Sequence, residues 1–300
     1  MRSPTTTSPA TRPPGSETRS ASLPNLIVIG AQKCGTTSLH YYLDQHPEIA
    51  MARAKELNFF ISKGWAKGVD WYAAQFDPEA PVRGESSPSY TNYPLHEGVP
   101  ARMHSVVPNA KLIFLVRDPI ERIVSEYLHD YSRGKEDRPL EQALADETSN
   151  HPYVVRSRYF FQLEQYLSFF PLERILVLAQ EDLLYDRAGT MRRVFEFLGV
   201  DASFYHPRFE RLRHQTSKNR RRRTWVGTVV SAAARRATRH LDLPRWLVWK
   251  AERLLVFPFA RRIERPALSV SLREQLSMEL ADDANRLRAL TGEEFQSWRL

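Results

Sequence analysis

Leu26 to Ile29 is a run of four apolar, mostly β-branched residues, which reads as a strand buried on both faces. From Ser38 the period changes. Leu39, Tyr42 and Leu43 recur at helical spacing, and Pro47 should end that helix near Gln45-His46. Lys111 to Val116 is a second buried strand. Behind it Ile120, Ile123, Val124, Tyr127 and Leu128 repeat as a helix face, with Pro119 suited to the first helical position and Asp118 to its cap. A short helix at Leu140 to Ala145, a helix from Tyr159 to Phe170 and a strand from Arg174 to Ala179 follow. Met191 to Leu198 forms a further helix stopped by Gly199, and Leu272 to Leu290 a last amphipathic one. This alternation predicts an α/β fold, with a central parallel sheet flanked by helices in three layers.

Chemistry concentrates where the first strand meets the first helix. The connecting loop carries Gly30 and Gly35, with Lys33, Thr36, Thr37 and Ser38 as donors around Cys34. Glycines let the backbone approach a ligand, and the N–H groups opening a helix attract an anion. The spacing is P-loop-like, but Thr36 stands where a nucleoside-triphosphate loop has its lysine, and the positive charge moves to Lys33. Arg117 ends the second strand, at the edge where open α/β sheets bind ligands. Read as bare surface, the same stretch gives an exposed Arg117 ion pair and an i,i+4 pair from Asp118 to Arg122. Glu181-Asp182 reads as an acidic helix cap, and Phe59 and Phe60 as apolar anchors of a loop.

With these blocks the chain resembles the sulfotransferases that use 3′-phosphoadenosine 5′-phosphosulfate (PAPS), especially the heparan sulfate N- and O-sulfotransferases and their bacterial relatives. The likeness is carried by Gly30 to Leu39, His46-Pro47, Lys55-Glu-Leu-Asn-Phe-Phe60, Trp71-Tyr72, Gly84-Glu-Ser-Ser-Pro-Ser-Tyr90 and Lys111 to Tyr127, with weaker echoes at Phe195 to Gly199 and in a terminal helix ending at Trp298. It implies that Gly30, Lys33, Cys34, Gly35, Thr36, Thr37 and Ser38 hold the 5′-phosphosulfate, that Arg117 and Ser125 hold the 3′-phosphate, and that Glu56 is the general base. Lys33 then neutralises the leaving phosphate, and Lys218 and Arg220 belong to a late basic loop over the nucleotide. Two positions depart from the pattern: Asn58 replaces a histidine found in several animal members, and Ser86 replaces a lysine of the heparan-type enzymes. The hydroxyls of Ser86, Ser87 and Tyr90, with Asn58, are expected to face the acceptor, a carbohydrate or glycolipid offering a hydroxyl or amine. Sulfuryl transfer of this kind requires no metal. The rival readings are a P-loop kinase, which would need the displaced lysine, and a non-catalytic polyanion- or membrane-binding protein on the same fold.

Composition adds a front end and a charge asymmetry. Residues 1–22 are dominated by Ser, Thr, Pro and Arg and read as a disordered leader, leaving one domain over 23–300. No signal-peptide core or membrane-length apolar run is present, so a cytoplasmic enzyme is expected. Cys34 is the only cysteine; a thiol in an anion loop could have a lowered pKa, although tight packing explains it better than catalysis. Between Arg211 and Arg265 stand sixteen Lys and Arg against three Asp and Glu, a balance of +13 that leaves −5 for the rest of a chain of formal charge +8. Within that stretch a Trp- and Arg-rich segment at about 213–265 reads as helical, and it suits peripheral contact with anionic membrane. No aromatic-interleaved module suggests nucleic acid as a partner.

Overall fold

The computed structural model describes residues 22–145, 148–210, 221–223 and 260–300, with isolated positions 229, 233 and 236. The expected leader up to residue 21, Lys218, Arg220 and nearly all of the Trp- and Arg-rich segment therefore lie outside the described residues.

Five strands, β1 (Leu26–Gly30), β2 (Ile49–Met51), β3 (Val82–Ser86), β4 (Lys111–Val116) and β5 (Ile175–Ala179), form one sheet in the order β2-β3-β1-β4-β5. Every pairing is parallel. All five residues of β1 are buried, as are the last five of β4, which is why both read as unbroken apolar runs rather than alternating ones. From β1 the chain moves first to β2 and β3 on one side and only then to β4 and β5 on the other. The loop after β1 thus sits at the point where the winding reverses, where open α/β sheets leave a crevice.

The helices are α1 (Thr36–Leu43), α2 (Ser62–Trp65), α3 (Val69–Ala73), α4 (Val99–Val106), α5 (Pro119–Arg133), α6 (Leu140–Ala145), α7 (Pro152–Val155), α8 (Tyr159–Leu167), α9 (Gln180–Tyr185), α10 (Arg187–Leu198) and a C-terminal helix, Val270–Thr291. Pro119 takes the first helical position of α5, and the Asp118 side chain accepts from Glu121 N, the cap that the pattern predicts. Helix α1 ends at Leu43, a turn before Pro47, and the last helix stops at Thr291, so Trp298 lies beyond it and stacks on Phe295.

Two apolar clusters hold these layers. The larger surrounds the sheet; the smaller joins Ile120, Ile123, Val124, Tyr127 and Leu128 of α5 to Leu272, Leu276 and Leu280 of the C-terminal helix. That helix also docks through charge: the Asp283 carboxylate accepts from the N–H groups of Phe160 and Phe161 at 3.0 and 2.8 Å, and Arg158 pairs with Glu279. Beside α5, strands β6 (Arg221–Arg223) and β7 (Ala260–Arg262) pair antiparallel as a separate ribbon.

Candidate functional site

The loop after β1 is built by close approach and unusual backbone. A side-chain carbon at Gly30 would lie 2.0 Å from Thr91 Oγ1, so only glycine fits where β1 ends. Ala31 N then donates to Leu115 O at 2.7 Å and fastens the loop to β4. Lys33 and Gly35 both have left-handed backbone, at φ 72° and 90°. Gly35 is the N-cap of α1, contributes no side-chain cap, and no acidic residue occupies that helix's first turn. The amides at Thr36 and Thr37 thus open a helix whose positive end has no carboxylate of its own against it. Cys34 sits as a packing residue, the role favoured for it over catalysis, and its thiol pKa is not lowered by the loop. It is fully buried, its Sγ lies 3.5 Å from Tyr159 Oη, and burial pushes the thiol up to about 11. Its side chain packs, and its N–H donates to Ala31 O at 3.3 Å inside the loop.

Arg117 reaches this loop from the end of β4. Its Nη1 donates to Lys33 O at 3.3 Å, and its Nη2 lies 3.5 Å from Glu121 Oε2. Its Nε is a buried donor with no partner among the described residues. Arg265 grips the same Glu121 carboxylate at 2.5 and 2.6 Å. Burial would raise the Glu121 pKa, but the Arg265 hydrogen bond and the Arg265 and Arg117 charges hold it below the usual carboxylate range. Ser125 follows on the same helix, half-buried.

The expected pair from Asp118 to Arg122 does not form. Asp118 uses Oδ1 on Glu121 N and Oδ2 on Arg299 N, both as caps and anchors. Arg122 instead turns inward, fully buried: its Nη2 donates to Glu126 Oε2 at 2.6 Å, its Nε to Ser157 Oγ at 2.6 Å, and its Nη1 to Gln32 O at 3.5 Å. Arg156 completes the triad at 2.5 Å from Glu126 Oε1, so a buried ionic cluster supports the loop from beneath. Glu181 is a cap of another kind, because its Oε1 accepts from Asp118 N at 3.0 Å. Its Oε2 and the neighbouring Gln180 Oε1 are buried acceptors with no partner among the described residues, and Gln180 lies against Gly35.

The third part lies at the end of β3. Glu56 N donates to Ser86 O at 2.9 Å, and Glu56 and Asn58 both adopt left-handed backbone, at φ 64° and 50°. Phe59 and Phe60 are fully buried and anchor the turn as the sequence suggests. The Glu56 side chain is 53% exposed, and its Oε1 lies 3.1 Å from Lys55 Nζ. Asn58 is turned back on the same segment: its Nδ2 donates to Glu56 O at 3.1 Å.

Ser86, Ser87 and Tyr90 do not offer their hydroxyls to an acceptor. All three are buried; Ser87 and Tyr90 donate to the Glu85 carboxylate at 2.7 and 2.8 Å, and Ser86 Oγ lies 3.0 Å from His40 Nδ1. The acceptor capacity of a buried carboxylate takes precedence over an outside ligand. His40 and Glu85 were not singled out as site residues by sequence reasoning. The available signals were a charged residue inside a short strand and a histidine one residue after Leu39 on the apolar helix. Gln32 Nε2 donates to Ser89 Oγ at 2.8 Å and ties the β1 loop to the segment after β3. The structure thus brings the loop, Arg117 and the Glu56 turn to the carboxyl-terminal ends of the three central strands. Among the described residues, no group of three or more His, Cys, Asp or Glu side chains is arranged to hold a metal ion, and no helix is long and apolar enough to cross a membrane.

A parallel α/β sheet with a glycine-bracketed loop at its winding reversal and an arginine reaching that loop defines an α/β protein of the P-loop-like class. The chain matches the family model described as "Sulfotransferase domain" over residues 23–240, and it belongs to that family. It is similar to heparan sulfate glucosamine 3-O-sulfotransferase 3A1 of Mus musculus, 32% identical over 200 residues covering 62% of this chain and 49% of that protein. It is also similar to the membrane-associated sulfotransferase kil1 of Dictyostelium discoideum, 27% identical over 270 residues covering 60% of this chain and 56% of that one. The chain therefore spans about half the length of these curated relatives. The crystal structure of a sulfotransferase from Alicyclobacillus acidocaldarius superposes with a TM-score of 0.64 at 25% identity, covering 92% of this chain and 99% of that one.

Proposed function

We propose that this protein moves a sulfuryl group from PAPS to a hydroxyl or amine of a carbohydrate or glycolipid acceptor. The observation that carries the reading is Arg117, which donates to Lys33 O in the loop while its own Nε is buried without a partner among the described residues. A guanidinium with a donor left unpartnered among the described residues, beside a helix start with no side-chain cap, suits a nucleotide with anionic groups at both its 5′ and 3′ positions. The residues present fit such a donor: Gly30, Lys33, Gly35, Thr36, Thr37 and Ser38 would hold its 5′ end, with Cys34 packed beneath them, and Arg117 and Ser125 its 3′-phosphate. When bound, PAPS supplies a sulfuryl group whose bond to the 5′-phosphate oxygen breaks as a bond from sulfur to the acceptor oxygen or nitrogen forms.

The chain's own residues orient, neutralise and take a proton. Lys33 offsets negative charge at the loop, and Glu56, whose exposed carboxylate faces solvent beside Lys55, receives the acceptor's proton. Lys218 and Arg220 remain proposed contacts to the nucleotide. A carbohydrate acceptor is favoured because the matched mouse relative is named for heparan sulfate glucosamine. A kinase reading is disfavoured, since Thr36 replaces the loop lysine and both Asp118 oxygens already accept backbone N–H groups.

We take residues 23–300 as one domain, with Leu300 packed against both apolar clusters in support. We place the protein in the cytoplasm with peripheral contact to anionic membrane, on the basic balance of 211–265; liposome sedimentation without any dependence on anionic lipid would remove that contact. The reaction is tested by incubating the protein with labelled PAPS and fractionated cell extract, then identifying by mass what gains a sulfate. We expect one acceptor class to be labelled by wild type and about 100-fold more slowly by Glu56→Gln. Label that reaches no acceptor in any fraction contradicts the proposal.

A further inference from the structure

Glu56 presents its carboxylate from an exposed side chain whose charged neighbour is the adjacent Lys55, so the direction of that carboxylate is set by the backbone beneath it. That backbone is left-handed at Glu56 and Asn58, a conformation that asparagine tolerates but that glutamate disfavours and holds only where the surroundings impose it. The surroundings here are the last residues of β3. Glu85 is fully buried, and three hydroxyls converge on it: Tyr72 Oη and Tyr90 Oη donate to Oε1 at 2.6 and 2.8 Å, and Ser87 Oγ donates to Oε2 at 2.7 Å. Burial raises the Glu85 pKa and the three hydroxyl bonds oppose that rise.

Two of the three hydroxyls also act as acceptors for the turn. Asn58 N donates to Ser87 Oγ at 3.0 Å and Phe60 N to Tyr90 Oη at 3.4 Å. A hydroxyl whose proton points at a carboxylate is polarised and oriented, and its lone pairs are left for the amide. An apolar residue at position 85 would leave those protons without a destination and the two acceptors without a fixed direction. Residues 85 to 87 and Tyr90 therefore hold the turn at three amides: Glu56 N through the Ser86 carbonyl, and Asn58 N and Phe60 N through the Ser87 and Tyr90 hydroxyls bound to Glu85.

We infer that Glu85 is a positioning residue, which through Ser87 and Tyr90 fixes the 56–60 turn and so aims the Glu56 carboxylate. This rests on the reading of Glu56 as the base. The test compares Ser87→Ala, Tyr90→Phe and Glu85→Gln with wild type by hydrogen exchange over residues 55–61, by binding of adenosine 3′,5′-bisphosphate, and by kcat and KM with labelled PAPS and the accepting extract fraction. We expect Ser87→Ala to speed amide exchange at Asn58 at least tenfold, to lower kcat about tenfold, and to leave nucleotide affinity and the KM for PAPS unchanged. In a Glu56→Gln background the same substitution should change residual turnover less than twofold, because the group it aims is gone. Exchange at Asn58 unaltered in all three variants, or an equal loss of kcat in both backgrounds, overturns the inference. Wild-type turnover in Glu56→Gln alone overturns instead the reading on which it rests. Should Glu85→Gln fail to fold, Ser87→Ala and Tyr90→Phe carry the test, since each removes a single hydroxyl.

Discussion

Replacing the Glu56 carboxylate by an amide keeps its shape and removes its proton affinity, and at an exposed side chain the fold has little stake in the change. Glu56→Gln should therefore depress turnover by about 100-fold or more while nucleotide binding persists, the scale of a lost general base; loss of both together would remove that role. Arg117→Ala should raise the KM for PAPS about tenfold, the scale of one charge-assisted hydrogen bond. An unchanged KM would detach Arg117 from the 3′-phosphate. His40 carries a pH signature of its own. Burial, joined by the Lys55 charge, lowers its pKa from 6.5 to about 4, so the unfolded chain takes up this proton before the folded one does. Stability from this group is present above about 6.5 and is lost as pH falls toward about 4. His40→Phe should flatten the fall of melting temperature across that window, and parallel curves for the two proteins would show that the ring does not titrate there. At this scale the sequence was informative where a residue's role is local. The positions of Gly30, Arg117 and Asp118 follow from the residues beside them, whereas Ser87 and Tyr90 looked like ligand donors because the carboxylate that takes their protons is buried by long-range packing. Arg122 has i,i+4 partners in the sequence at both Asp118 and Glu126, and the pairing with Glu126 goes with the inward contacts to Ser157 Oγ and Tyr153 O, which depend on how α5 meets the segment around α7.

Strands β1 and β4 and helices α5 and α6 lie where the apolar pattern puts them, because a buried strand and an amphipathic helix each leave a period in the chain. Strand β2, three residues long, and the 3₁₀ turn at Pro88–Thr91 leave none, and the strand order could not be read at all, since parallel pairing joins segments far apart in sequence. The cap of α5 is the element-level device most open to test. Asp118 closes the helix and also holds Arg299 N, so Asp118→Ala should cost about 1–2 kcal/mol for the cap, read by chemical denaturation. A midpoint equal to wild type would mean that water replaces both bonds without loss.

Across the whole molecule, the C-terminal helix closes the chain over the site's supports. Its Leu272, Leu276 and Leu280 cover α5, and Asp283 caps α8, whose first residue, Tyr159, packs under Cys34 of the loop. The loop is therefore braced by residues more than a hundred positions away, which explains why its motif was legible while its support was not. What this assembly is built to hold can be measured without knowing the acceptor. Titration calorimetry should compare adenosine 3′,5′-bisphosphate, adenosine 5′-phosphate and ATP with Mg²⁺ on wild type and Arg117→Ala. We expect wild type to favour the 3′,5′-bisphosphate over the 5′-phosphate by about tenfold or more, and Arg117→Ala to erase that preference. Equal affinity for the two adenosine phosphates, or tighter binding of ATP with Mg²⁺, would contradict the assignment of this site to a PAPS-type donor.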